Sequence, residues 1–186
     1  MFRGDVGRAG GKAEEGVYRT EVTIATLFTF RPQHMAGVTC ESALSPDGRQ
    51  LACHVASEFV ILDSSSGALL VQKEYAAGLR KLAYSAASQW LGMAFSSEFA
   101  LWDSRTLSCV ATHGCEWDSF AFAPDGSHIA VADGDRVRCL GLGDFHITRE
   151  APDRFKSPRD LAYSPDGNVL AVSCQGGVSL LCQARG

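Results

Sequence analysis

From residue 38 onward, apolar positions alternate with small ones in four places. Ser42 and Leu44 flank Ala43, Leu82 and Tyr84 flank Ala83, Phe120 and Phe122 flank Ala121, and Leu161 and Tyr163 flank Ala162. A period of two marks a strand with one buried face. Three of these runs lead directly into one kind of tetrapeptide: Ser45-Pro46-Asp47-Gly48, Ala123-Pro124-Asp125-Gly126 and Ser164-Pro165-Asp166-Gly167. In the remaining run Ser85 is followed by Ala86-Ala87-Ser88-Gln89, a worn copy. The apolar pattern resumes three residues after each Gly, at Leu51-Ala52, Ile129-Ala130 and Leu170-Ala171, and at Trp90-Leu91 in the worn copy.

The tetrapeptide is turn chemistry. Pro pre-sets φ for the second position of a type I turn, Asp tolerates the third, and Gly accepts the left-handed conformation that closes a three-residue hairpin loop. With Ser45, Ser85, Ala123 and Ser164 as markers, the steps are 40, 38 and 41 residues. A period of this length is the signature of a repeat architecture. Each unit reads as four short strands. The first unit has strands at 38–44, 50–56, 59–63 and 68–75, and the second at 79–85, 90–95, 99–103 and 107–112. The third has strands at 117–123, 128–132, 136–141 and 144–149. The fourth has only three, at 160–164, 169–174 and 178–182. The expectation is an almost purely β molecule.

Ahead of the repeats, residues 1–16 are rich in Gly and charge with no apolar periodicity, which predicts a disordered leader. Glu21–Phe30 is β-branched and aromatic, and predicts one strand halted by Arg31-Pro32. The approximate units are 38–77, 78–114, 115–154 and 155–186.

Composition narrows the function classes. With 17 basic and 21 acidic residues the net charge is −4, and no Lys/Arg-rich run occurs, so the footprint of a nucleic-acid binder is missing. No apolar stretch approaches the ~18 residues a membrane helix needs. Seven cysteines without CxxC spacing fit reduced thiols of the cytosol or nucleus better than a disulfide framework.

Four short antiparallel strands per repeat describe a propeller blade. Leu101-Trp102-Asp103 and, in weakened form, Leu62-Asp63 end the third strands of the first two units. On these residues and the repeated turns, residues 38–182 resemble the WD40-repeat family. The repeats are divergent: the third unit ends Leu140-Gly141, the fourth Leu181-Cys182, and the Gly-His pair expected before the inner strand is absent. The resemblance implies a β-propeller of about four WD40-like blades. Such rings usually hold more blades, so the expectation is an incomplete propeller. The alternative is closure at four blades, with the Glu21–Phe30 strand completing the last.

No Gly-x-Ser-x-Gly elbow, Walker loop, dinucleotide fingerprint or HExxH occurs, so no catalytic set and no cofactor is implied. Cys109, His113 and Cys115 lack a second ligand pair at finger spacing and read as strand and loop residues. Tyr84, Phe122 and Tyr163 share one repeat position and read as core. Trp102 is expected between blades and Trp117 to be partly buried. Phe59 and Phe99, each after a Glu, are candidates for half-exposed contact positions.

In a propeller the first strand of each blade lines the channel, and its leading end opens on the face partners use most. The resemblance therefore puts the candidate partner-binding rim at Glu41, Arg80, Lys81, Asp118, Arg159 and Asp160. Mixed charge suits peptide or protein surfaces rather than phosphate, with Arg able to grip carboxylates in bidentate fashion. The leading reading is a non-catalytic scaffold for other proteins or peptides, with self-association or completion of the ring by another chain as a further expectation. The alternatives are an enzyme of another propeller lineage, a metal-dependent hydrolase or peptidase-associated propeller, and a truncated product without independent activity.

Overall fold

A computed structural model describes residues 40–182, apart from 56, 76 and 77. The leader expected at 1–16 and the strand expected at Glu21–Phe30 lie outside the described residues. Within them the chain forms fifteen strands in four antiparallel sheets and no helix. The first sheet runs β1 (Cys40–Leu44), β2 (Gln50–Val55), β3 (Glu58–Asp63) and β4 (Leu69–Glu74). The second runs β5 (Lys81–Tyr84), β6 (Trp90–Ala94), β7 (Glu98–Asp103) and β8 (Ser108–Gly114). The third runs β9 (Trp117–Phe122), β10 (His128–Asp133), β11 (Arg136–Gly141) and β12 (Ile147–Glu150). The fourth holds β13 (Asp160–Tyr163), β14 (Val169–Cys174) and β15 (Gly177–Cys182), three strands as the sequence predicts.

All four first hairpins share one register, with Leu44 opposite Leu51, Tyr84 opposite Leu91, Phe122 opposite Ile129 and Tyr163 opposite Leu170. The turns that fix it behave as their chemistry requires. Gly48, Gly126 and Gly167 have φ of 72°, 72° and 71°, and each donates its N–H to the carbonyl three residues back. In the worn copy Ser88 takes the same place at φ 56°. Ser45, Ser85 and Ser164 add a second closure, their Oγ accepting from the N–H of Gln50 (2.9 Å), Trp90 (3.0 Å) and Val169 (2.9 Å). Ala123 has no hydroxyl, and there Ser127 Oγ donates to Asp125 Oδ1 at 2.7 Å instead.

The next turn, between third and fourth strands, is capped by the Asp that ends the third strand. Asp63 Oδ1 accepts from the N–H of Ser65 and Ser66, and Asp103 Oδ1 from the N–H of Arg105 and Thr106. The third unit has Gly141 at that position, so its cap comes from further on: Asp144 accepts from His146, and Phe145 takes a positive φ of 53°. The strand expected at 144–149 is present but starts later, at Ile147–Glu150. The first three of the expected residues form the turn.

The sheets stack face to face as blades, with inner strands side by side in the order β1, β5, β9, β13. Three apolar cores lie between them. Leu82, Leu91, Met93 and Trp102 of the second blade pack on Ala52, Phe59 and Ile61 of the first. Phe120, Ile129 and Val131 of the third pack on Ala94, Phe99 and Leu101 of the second. Leu161, Leu170 and Val172 of the fourth pack on Ala130, Ala132 and Val137 of the third. Trp102 lies between blades as expected, its Nε1–H donating to Tyr75 OH at 2.9 Å. Phe59 and Phe99 are each 0% exposed, so they are core and not contact residues. Their place after a turn Glu is misleading, because the strand pleat turns them toward the next blade. Trp117 is buried against Phe99 and Phe145, further inside than its position at a strand start suggests.

Candidate functional site

The leading ends of the four inner strands come together at one rim, and the blade stacking decides which charges meet. Arg80, just before β5, reaches one blade forward: its guanidinium is 2.7 Å from Asp118 Oδ1 on β9. Lys81 reaches two blades forward. Its Nζ lies 2.5 Å from Asp160 Oδ1 on β13, 3.1 Å from Ser119 Oγ on β9 and 3.2 Å from the Leu161 carbonyl. Ser119 Oγ also donates to Asp160 Oδ1 at 3.0 Å, which closes a three-blade cluster. Burial raises the Asp160 carboxyl, but the Lys81 ammonium and the Ser119 hydroxyl outweigh it and hold it below the ordinary carboxylate range. The ammonium also sits 5.9 Å from the Phe120 ring centroid.

The six residues named from the sequence thus divide into unlike groups. Arg80 with Asp118 and Lys81 with Asp160 are pairs within the chain, half-exposed at the rim. Arg159 stands exposed before β13, and its side chain meets no partner among the described residues. Glu41 is exposed on β1, directly opposite His54 of β2 in the ladder.

Two features escape a reading of the sequence. His54 is buried between the first and second blades, edge-on to Phe95 at 5.5 Å, and its Nε2 has no hydrogen-bond partner. Burial holds its pKa below the ordinary histidine value. Between the third and fourth blades, His128 Nε2 meets Tyr163 OH at 2.9 Å, with Cys139 Sγ 3.7 Å from the same hydroxyl. A cavity of about 410 Å³ opens beside this pair, lined by Val137, Cys139, Arg149, Leu170 and Leu181 among others. It lies beside β15, where the other three sheets carry a fourth strand. Neither feature has a local motif, since their parts come from different blades.

No protein-family model matches the chain, and no curated protein does. Solved structures do. The β-propeller domain of Myceliophteria thermophila Cps50 (Swd1) superposes with a TM-score of 0.67 at 12% identity, over 79% of this chain and 54% of that one. A chain of a mitotic checkpoint complex gives 0.68 at 20%, over 82% and 51%. The fold is a β-propeller. A third match, Kuenenia stuttgartiensis hydrazine synthase, gives 0.63 at 18% identity, over 76% of this chain and 45% of that one. The propeller fold is thus shared with a protein named as an enzyme, and fold alone does not assign a function. The chain spans about half the length of the solved chains it matches. Among the described residues the four blades form an incomplete propeller, in which β13 does not meet β1 as each inner strand meets its successor.

Proposed function

We propose that this propeller is a non-catalytic scaffold that holds other proteins or peptides at the rim formed by Glu41, Arg80, Lys81, Asp118, Arg159 and Asp160. The observation that carries the reading is the Arg80–Asp118 and Lys81–Asp160 pairing. These charges fix one another across blades, leaving a rigid and polar surface of both signs instead of a carboxylate set aimed at a reacting centre. Arg80 and Asp118 keep half-exposed edges from which they can donate to and accept from a bound chain, while Arg159 offers a bidentate fork to a carboxylate. Such a surface orients a partner and sets its specificity more than it adds raw affinity.

The test uses an array of immobilised extended peptides of varied charge, probed with the full chain. Exchanging the pair, Arg80→Asp together with Asp118→Arg, keeps an ion pair between the blades but inverts its polarity. The expected result is a changed set of retained peptides with the melting temperature within about 2 °C of the parent, since an exposed pair contributes at most about 1 kcal/mol. An identical peptide profile for the exchanged protein removes the rim from the reading.

A further inference from the structure

Every blade in this chain has two unlike faces. Toward the following blade, its first two strands offer a pair of small residues directly opposite each other: Ala43 and Ala52, Ala83 and Gly92, Ala121 and Ala130. Toward the preceding blade, the same strands offer a large pair: Tyr84 and Leu91, Phe122 and Ile129, Tyr163 and Leu170. All three junctions set a large pair on a small one. The fit is closest at Gly92, where even a Cβ would lie 2.7 Å from the Phe120 ring.

The last blade repeats the receiving face. Ala162 lies opposite Ala171, and Val178 and Leu180 stand where the third blade has Val137 and Cys139. Those two are 2% and 9% exposed beneath the fourth blade, whereas Val178 and Leu180 are 66% and 67% exposed. The first blade repeats the inserting face. Leu44 lies opposite Leu51, at the position of Tyr84, Phe122 and Tyr163, and Leu44 is 59% exposed. Behind it Cys53, Val60 and Leu62 form a small apolar cluster of first-blade residues.

We infer that the receiving face of the fourth blade takes the first blade of a second copy of this chain, head to tail. The inference stands on the fold and uses a surface apart from the peptide-binding rim. One chain carries both halves of the junction, and the solved propellers it matches are about twice as long as the part it covers. Two copies of the described residues supply eight blades, within the range that propeller rings use. Head-to-tail contacts that close under a twofold axis end as a dimer instead of a filament.

Sedimentation velocity of the full chain at micromolar concentration tests this, with Leu180→Asp on the receiving face and Leu44→Asp on the inserting face. The parent is expected near twice its mass of 19.9 kDa. Either substitution puts a carboxylate into the apolar junction and should weaken association at least about a hundredfold. Both positions are largely exposed in the single chain, so far-UV circular dichroism should not change. Mixing the two variants leaves one intact junction per pair and should restore a dimer at higher concentration. A monomeric parent overturns the inference. So does a dimer indifferent to Leu44→Asp, which would pair receiving faces back to back, or an open series of oligomers, in which the ring does not close.

Discussion

Glycine positions set the conformation of the hairpins and the spacing of the blades, and each role can be tested by one substitution. Gly126 has φ 72° in the third tetrapeptide turn, where a side chain is strained by roughly 1–2 kcal/mol and a β-branched one most of all. Gly126→Val should therefore lower the denaturation midpoint clearly more than Ser127→Ala, which gives up exposed hydrogen bonds to Asp125 and His128. Equal midpoints would mean that the turn does not need the left-handed residue. Gly92 has an ordinary φ but no room, with Phe120 atoms 2.7 and 2.8 Å and a Phe122 atom 3.1 Å from where a Cβ would sit. Gly92→Ala should cost on the order of 1–3 kcal/mol by overpacking, read as a lower melting temperature with unchanged secondary structure. A neutral outcome would show that the second and third blades can part slightly without loss.

At the scale of strands and turns, the Asp that ends a third strand does the work of a cap. Asp103 accepts two backbone N–H groups of the following turn and is itself buried, so Asp103→Ala leaves donors without their acceptor. Loss of about 1 kcal/mol is expected in chemical denaturation, with Asp103→Asn retaining part of it. If Asp103→Ala unfolds at the parental midpoint, water replaces the cap at no cost. Elements of this kind were legible in the sequence because their chemistry is local. Pro-Asp-Gly announces a turn and the alternation around Ala43 or Ala121 announces a strand, whereas the delay of pairing to Ile147 in the third unit was not foreseen. What joins the elements was not legible. Arg80 meets Asp118 38 residues on, and Lys81 meets Asp160 79 residues on. Nothing in the chain near Lys81 distinguishes a side chain that spans two blades from one that ends in solvent. The six rim residues were found as a set, from the repeat. Their division into pairs depends on the stacking geometry, which is why reversing Arg80 alone would set a carboxylate against Asp118 and disturb the fold along with the rim.

For the whole molecule, blade junctions and turns respond to acid in separate ranges. His54 lies between the first and second blades and His128 between the third and fourth, and burial lowers the pKa of each below the ordinary histidine value. For His128, Asp125 opposes the shift and Arg149 adds to it. The folded state therefore holds both rings neutral, while the unfolded chain takes up protons as pH falls below about 6.5. Stability should be full above that pH and decline below it, because the unfolded state binds more protons there. The carboxylates act later. Hydrogen bonds from Ser65 and Ser66 hold Asp63 at about 2, and bonds from Ser164 and Asn168 do the same for Asp166. Their stabilisation is present above the ordinary carboxylate range and is lost as pH falls from about 4 toward 2. Melting temperature against pH should show two descents, the first from the junctions and the second from the turns. His54→Ala places at this position the residue that the second and third blades carry there, Ala94 and Ala132. Whatever that cavity costs in absolute stability, the slope between pH 6.5 and 5 should become shallower, and His128→Gln should flatten it further. A first descent of unchanged slope in the double variant would place the acid response outside these two junctions.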